Sequence, residues 1–139
     1  MARRHRTIVL DSWAVLAYLG DETAGETVAN LIADSQENDI PLLMSAINVG
    51  EVWYILAREI SEAEADQSIT GLTQLGIEFV DAEWKAVRAA AALKAKHRMS
   101  YADCFAAALA KERSAELVTG DNEFKQVESE VKIRWLVRD

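Results

Sequence analysis

The sequence predicts an α/β protein in which a parallel β-sheet carries helices on both faces. Short apolar runs rich in β-branched residues alternate with longer segments of helical periodicity, which is the pattern of repeated βα units. Half of the residues are apolar and 27% are charged, as in a globular protein with a core. The 139 residues include no proline-rich linker, low-complexity tract or internal repeat, so we expect one domain spanning residues 1–139.

Five segments are predicted to be strands because they are short and apolar and are bounded by polar or turn residues. The first ends at Asp11, the second has Pro41 near its start, and the fourth ends at Gly120. The predicted strands are residues 7–10, 40–44, 77–80, 117–119 and 131–137.

The intervening segments have apolar residues at helical spacing and carry start and stop signals of helices. Ser45 and Asp81 are predicted to cap two of the helices, and residues 61–64 (SEAE) have the form of a capping box. Gly20 and Gly76 are predicted to end two helices. The predicted helices are residues 12–19, 23–36, 46–59, 61–75 and 82–97, one that begins at Ser100, and a short one after Asp121.

The net charge of −8 argues against a protein that binds nucleic acid through a broad basic surface. Basic residues form small groups, at residues 3–6, 94–98 and 134–138. We therefore expect any nucleic acid to be held by such small patches or through metal ions. A basic protein partner also suits this charge.

The single cysteine, Cys104, cannot form an internal disulfide, which fits a reducing cytoplasm. The basic residues 3–6 precede an apolar stretch, as in a signal peptide, but Asp11 and Ser12 interrupt that stretch. No run of about 18 apolar residues suggests a membrane span. We expect a cytoplasmic protein.

Acidic residues occur where the predicted strands end. Asp11 directly follows the first strand, Glu51 lies about two turns into the helix after the second, and Asp121 lies two residues past the fourth. Ligands of open parallel sheets bind at these carboxyl ends, so three acids are expected there. Asp103 lies in the first turn of the helix before the fourth strand, and strand positions alone do not place it beside the others.

Carboxylates gathered in one crevice repel each other, by about 4 kcal/mol for a pair 4 Å apart at an effective dielectric near 20. A divalent cation or protonation of some acids makes such a cluster tolerable. Oxygen ligands without nearby His or Cys favour Mg²⁺ or Mn²⁺ over zinc, and these ions suit hydrolysis of phosphodiesters. Ser12, Asn48 and Thr119 lie beside the acids and offer polar groups for a water or a phosphate.

Each of these residues also has a purely structural interpretation. Alone, Asp103 is better explained as part of a capping box with Ser100, and Asp121 as a helix cap after a turn. Ser12 is slightly better explained as a cap of the first helix. Asp11 fits a structural role least, because a carboxylate just after an apolar strand lies close to the core.

Four segments together resemble the PIN-domain ribonucleases, and within them the VapC-type toxins of bacterial toxin–antitoxin pairs. In each segment one of the four acids stands at a position that the family uses, and the segments occur in order over essentially the whole chain. The segments are residues 8–12 (IVLDS), 45–53 (SAINVGEVW), 100–103 (SYAD) and 117–124 (LVTGDNEF).

The resemblance implies a three-layer α/β/α fold with a five-stranded parallel sheet of order 3-2-1-4-5. It implies that Asp11, Glu51, Asp103 and Asp121 are the four catalytic acids, which hold Mg²⁺ or Mn²⁺ for the cleavage of RNA. It further implies a homodimer and a cognate antitoxin that covers the active site with its C-terminal segment. Cys104 departs from the family, in which alanine is more usual beside the third acid.

Other functions remain as alternatives. A phosphatase that forms an aspartyl-phosphate on Asp11 usually has a second Asp two residues later, where this chain has Trp13. A dinucleotide-binding domain needs a glycine-rich turn after the first strand, and none is present. A PIN-like fold kept as a non-catalytic binding module, or a housekeeping nuclease without an antitoxin, are the remaining alternatives. Metal-dependent cleavage of RNA distinguishes the nuclease from the binding module.

Overall fold

The structure is a computed structural model that describes residues 7–137. Strands and helices alternate through the chain, as the periodicity predicts. The strands are β1 (Ile8–Leu10), β2 (Leu42–Ser45), β3 (Ile77–Val80), β4 (Glu116–Thr119) and β5 (Lys132–Trp135). The helices are α1 (Ser12–Leu19), α2 (Thr23–Asn38), α3 (Ala46–Glu59), α4 (Glu62–Gln74), α5 (Trp84–Lys96) and α6 (Tyr101–Glu112), with a 3-10 helix at Asn122–Val127.

The five strands form one parallel sheet of order β3-β2-β1-β4-β5. This confirms both the fold class and the strand order that the resemblance implies. The central strand β1 pairs with β2 through Ile8 and Leu42, and with β4 through Leu10 and Val118. The carboxyl ends of β1, β2 and β4 therefore adjoin at one edge of the sheet.

Alternating side chains of β1 enter two different hydrophobic cores. Ile8 and Leu10 pack with buried residues of α1 to α4 on one face of the sheet. Val9 packs with buried residues of α5, α6 and the 3-10 helix on the other face. Helices thus cover both faces. No helix in residues 7–137 is long and apolar enough to cross a membrane.

Of the caps predicted at Ser45, Ser61 and Asp81, the first two are correct and the third is wrong. Ser45 and Ser61 cap α3 and α4, and the Ser61 hydroxyl accepts a hydrogen bond from the Glu64 backbone N–H. Asp81 does not cap α5, which begins only at Trp84. Residues 81–83 are extended instead, because Ala82 packs against the core before the chain turns into the helix.

Candidate metal centre

The fold brings the ends of four elements to the carboxyl edge of the sheet. Helix α3 starts directly after β2, and α6 ends just before β4, so the first turns of both helices lie at this edge. Asp11 is at the end of β1, and Glu51 is on α3 after β2. Asp121 is at the end of β4, and Asp103 is in the first turn of α6. The helix direction supplies the placement of Asp103 that the strand positions leave open.

Asp11 is fully buried and both of its carboxylate oxygens accept hydrogen bonds. Oδ1 accepts from the backbone N–H of Ala14 at 2.9 Å, and Oδ2 accepts from the hydroxyl of Thr119 at 2.5 Å. Asp11, rather than Ser12, therefore caps α1, so the expectation that Ser12 serves as the cap is wrong. An aspartate cap leaves the hydroxyl of Ser12 free to bond elsewhere.

Burial raises the pKa of Asp11 to about 7, from an ordinary value of 3.8. The hydrogen bonds from Thr119 and Ala14 lower this pKa, and the negative charges of Asp121 and Glu51 raise it. The net effect is a carboxyl group that resists ionisation in the metal-free protein. Interaction with both Asp121 and Glu51 shows that these acids lie near Asp11.

Asp103 is almost completely buried at the start of α6, where its backbone N–H donates to the hydroxyl of Ser100. Its pKa is raised to about 8, first by burial, then by a hydrogen bond with the carboxyl group of Glu123 and by the charge of Asp121. Ser100 lowers the pKa and Asp11 raises it. The capping interpretation of this segment is thus correct for Ser100, while the Asp103 side chain lies among acids.

Glu51 is linked to the first helix through Ser12. The Ser12 hydroxyl donates a hydrogen bond to Oε1 of Glu51, and Ser12 is itself almost fully buried. Asn48, one turn before Glu51, is fully buried, and its Nδ2 lies 3.4 Å from the Ser12 oxygen. Of the two polar side chains, Ser12 therefore contacts the acid directly, and Asn48 contacts Ser12.

Asp121 and Thr119 form a compact turn after β4. The Thr119 hydroxyl donates to Asp11 and accepts from the Asp121 backbone N–H at 3.0 Å. Asp121 Oδ1 accepts from the backbone N–H of Glu123 at 2.9 Å, so Asp121 caps the 3-10 helix as its structural interpretation predicts. Capping and membership of the acidic cluster therefore coexist in one residue.

Glu123 also belongs to the cluster, although it is not among the predicted site residues. Carboxylate oxygens of Asp103, Asp121 and Glu123 lie within 4.8 Å of one another. The signal that could have found Glu123 is its position two residues after Asp121 at the start of a predicted short helix. A cap and its second residue there place both side chains at the same helix end.

Gly120 lets an aromatic ring pack directly against this turn. A Cβ atom added at Gly120 would lie 2.3 Å from Cη2 of Trp13, closer than any side chain can sit. The absence of a side chain between Thr119 and Asp121 is therefore required by Trp13. The ring fixes the path of the backbone that carries the fourth acid.

The residues present fit a divalent cation. The five carboxylates offer oxygen ligands alone, which is the donor set that Mg²⁺ and Mn²⁺ prefer. Within residues 7–137 no ion pair joins any of these carboxylates to a basic side chain. Two of them have pKa values raised mainly by burial and further by neighbouring acids, and a bound cation would stabilise their ionised forms. The carboxylates are Asp11, Glu51, Asp103, Asp121 and Glu123.

Comparison with protein families gives one match over most of the chain. Residues 8–130 match the family model described as the PIN domain. The matched region includes every carboxylate of the cluster. A search of curated proteins gives no match.

Solved structures of similar fold include members of the VapBC family of toxin–antitoxin systems. A chain of VapBC2 from Rickettsia felis, bound to a fragment of promoter DNA, is 17% identical with a TM-score of 0.73, over 94% of this chain and 99% of that one. VapC20 from Mycobacterium tuberculosis, a toxin that cleaves the sarcin–ricin loop, is 17% identical with a TM-score of 0.69, over 87% and 95%. A chain of FitAcB from Neisseria gonorrhoeae is 22% identical with a TM-score of 0.67, over 91% and 96%. At these identities the likeness concerns the fold.

Proposed function

Because the chain belongs to the PIN-domain family, we propose that it is a metal-dependent ribonuclease, the toxin of a type II toxin–antitoxin pair. The observation that carries the proposal is the convergence of acids from four distant segments at one sheet edge, without basic partners among the described residues. The neighbouring acids contribute to the raised pKa values of Asp11 and Asp103, after the larger effect of burial. A structural role would not need so many unneutralised carboxylates.

In this proposal Asp11, Glu51, Asp103 and Asp121 hold Mg²⁺ or Mn²⁺, and Glu123 is an additional candidate ligand. A bound cation of this kind activates water for attack on a phosphodiester and offsets the negative charge of the departing oxygen. The protein has to provide deprotonated carboxylates. Asp11 and Asp103 therefore give up protons when the cation binds, because both hold them unusually tightly.

Two hydroxyl groups orient the acids in this proposal. Thr119 donates a hydrogen bond to Asp11, and Ser12 donates one to Glu51. In each of these acids a hydroxyl group thus fixes the orientation of the carboxylate. Hydrogen bonds of this kind fix the orientation of metal ligands and tune their basicity. Ser12 and Thr119 are thus supporting residues of the site, together with Asn48.

RNA is the proposed substrate because a neighbour of the same fold, VapC20, is a toxin that cleaves the sarcin–ricin loop. The net charge of −8 requires that phosphates be drawn in by the cation and by local basic groups. The segment at residues 94–98 precedes the helix that carries Asp103, so it lies at the correct end of the sheet for this role.

An antitoxin is the proposed partner. The neighbours include VapBC and FitAB complexes. A groove of about 540 Å³ runs along α1 and α3 from Trp13, whose ring packs against Gly120 near the acids, to Ile60 after the end of α3, and its apolar wall includes Leu16. Glu22 and Glu59 also line it, so the groove suits an amphipathic segment with basic residues.

The proposal further includes a single domain, a cytoplasmic location and a homodimer. The homodimer is proposed because the VapC-type toxins, which the sequence resembles, usually dimerise, while the 73% exposed Trp84 at the start of α5 does not by itself indicate an interface. Measuring the mass of the purified protein in solution tests the dimer.

The proposed function is tested by incubating the purified protein with total cellular RNA, with Mn²⁺ or with EDTA, and mapping the new ends. We expect defined cleavage sites with Mn²⁺ and none with EDTA. Expression without the antitoxin should slow growth. An intact RNA pool in the presence of saturating Mn²⁺ would leave a binding module as the better explanation, and active but harmless enzyme would favour a housekeeping nuclease.

A further inference from the structure

Asn48 lies fully buried in the first turn of α3, where three helices that carry acids meet. Its side-chain Nδ2 donates to the backbone oxygen of Ala102 at 3.0 Å and lies 3.4 Å from the hydroxyl oxygen of Ser12. Ala102 directly precedes Asp103, and Ser12 directly follows Asp11. One amide group therefore joins the first turns of α1, α3 and α6.

The two contacts act on different acids. The bond to Ala102 ties the first turn of α6, and with it the backbone of Asp103, to α3. The contact with Ser12 directs an N–H at the hydroxyl oxygen, so the hydroxyl proton has to point elsewhere, and it points to Glu51. Asn48 and Glu51 are three residues apart on one helix and lie on the same face.

Stability alone is a poor explanation for this side chain. The Oδ1 atom of Asn48 is buried and has no hydrogen-bond donor among the described residues. A buried acceptor without a donor costs free energy, and in native proteins such groups concentrate where function requires them. An apolar side chain would avoid this cost, yet would lose the two contacts to the acidic elements.

We propose that Asn48 is a positioning residue that sets the separation of Asp103 and Glu51 through Ala102 and Ser12. The inference rests on the proposed function, because it assigns a task within that site. Replacing a residue that orients metal ligands without binding the metal itself typically changes metal affinity about 10- to 100-fold.

The test compares Asn48→Ala with a matched control, Ser35→Ala. Ser35 lies on α2 and is also buried. Its hydroxyl donates a hydrogen bond to the backbone oxygen of Ile40, and it has no hydrogen bond to the acids. Mn²⁺ affinity is measured by calorimetry without RNA, and cleavage is measured separately as kcat and KM. We expect Asn48→Ala to weaken Mn²⁺ binding about 10-fold and to lower kcat about 100-fold, because a shift of about 1 Å in a catalytic group has effects of that size. The control should change neither by more than about 2-fold, since its hydrogen bond lies far from the ligands.

A second variant, Asn48→Ser, retains a small polar group. It allows the test to be made even if Asn48→Ala does not fold. It is too short to span both contacts, so we expect an intermediate loss of Mn²⁺ affinity. Amide hydrogen exchange should rise in the first turn of α6 and stay unchanged in its last turn.

The inference is overturned if both Asn48 variants bind Mn²⁺ like the unmodified protein while their stability falls as in Ser35→Ala. If the unmodified protein binds Mn²⁺ but does not cleave RNA, the proposed function fails, and the affinity comparison still decides the role of Asn48.

Discussion

The two edges of the β-sheet treat buried carboxylates in opposite ways. At the amino edge, Glu116 begins β4 with only 5% of its surface exposed. Its carboxylate pairs with Arg134 at 2.7 Å and Lys132 at 3.8 Å, both on the neighbouring β5. At the carboxyl edge, Asp11 and Asp103 are equally buried, and no basic side chain pairs with either of them in residues 7–137.

Glu116 is therefore an acid whose charge is compensated within the fold, whereas Asp11 and Asp103 are acids whose charges a ligand would have to compensate. Burial of a charge is costly unless a partner compensates for it. β5 brings the partners of Glu116 as part of the same sheet. At the other edge the protein supplies hydrogen bonds and more acids, so compensation has to come from a proton or a cation. The raised pKa values of Asp11 and Asp103 are the physical trace of that arrangement.

The largest effect that this comparison predicts is on cleavage of RNA. Asp11→Asn keeps an oxygen to cap α1 but removes a negative ligand. Charge stabilisation by a catalytic cation amounts to several kcal/mol, so we expect cleavage to fall about 1,000-fold. Initial rates with Mn²⁺ on a defined RNA measure this.

The matched variant at the amino edge is Glu116→Gln. It should cleave RNA within about 2-fold of the unmodified rate, since Glu116 begins β4 at the opposite edge of the sheet from the acids, and substitutions at distant sites act almost independently. Nuclease activity that survives Asp11→Asn, or that disappears with Glu116→Gln, would contradict the division between the two edges.

The next effect is on the pH dependence of stability without metal. Asp11 and Asp103 have folded-state pKa values of about 7 and about 8, above the ordinary 3.8, so the folded state holds their protons more tightly than the unfolded state does. Their contribution to stability is therefore present at low pH and lost as the pH rises through 7 to 8. With EDTA we expect the free energy of unfolding to fall by several kcal/mol between pH 5 and pH 8, since one pKa unit corresponds to about 1.4 kcal/mol and both pKa values lie far above 3.8.

Urea denaturation at several pH values measures this loss. Mn²⁺ should largely remove it, because the cation binds the ionised carboxylates of the folded state. Asp11→Asn should flatten the curve and make the metal-free protein more stable at pH 8. A metal-free stability that does not change over this range would mean that the carboxyl edge is better compensated than the structure indicates.

The smallest of the three effects concerns packing at the carboxyl edge. Gly120→Ala places a methyl group 2.3 Å from the Trp13 ring, so we expect a loss of about 1–3 kcal/mol of stability, as for other overpacked sites. The displaced turn should also weaken Mn²⁺ binding, because it carries Asp121.

Gly71→Ala is the matched control, since it lies in α4 with no atom within 4 Å of the added methyl group. Replacing glycine by alanine in a helix should stabilise the protein by up to about 1 kcal/mol and leave Mn²⁺ binding unchanged. Equal stability of the two variants would show that the ring of Trp13 yields without disturbing the turn.

Local features of the fold could be predicted closely from the sequence. α1 and β3 have the predicted bounds, because a polar residue or a glycine marks each change of periodicity. The prediction that Asp81 caps a helix is wrong. An aspartate after a strand resembles a helix cap even where the chain, as here, first packs Ala82 against the core and becomes helical only afterwards. The order of the strands depends on contacts between distant segments, and only the resemblance to a family supplied it.

The candidate site was predictable in part for the same reason. Asp11 and Asp121 follow strands directly, so their edge is given by local sequence. Asp103 required the direction of α6, and Glu123 required the exact turn of the 3-10 helix. Periodicity does not encode either of these.

The two hydrogen bonds to the Asp11 carboxylate affect how tightly the centre can bind a cation. One lone pair of Oδ1 is directed at the Ala14 N–H and one of Oδ2 at the Thr119 hydroxyl, so the carboxylate cannot rotate freely. Its remaining lone pairs therefore have fixed directions before any cation binds. Little conformational entropy is then lost on binding, and the ion meets a ligand that is already aligned.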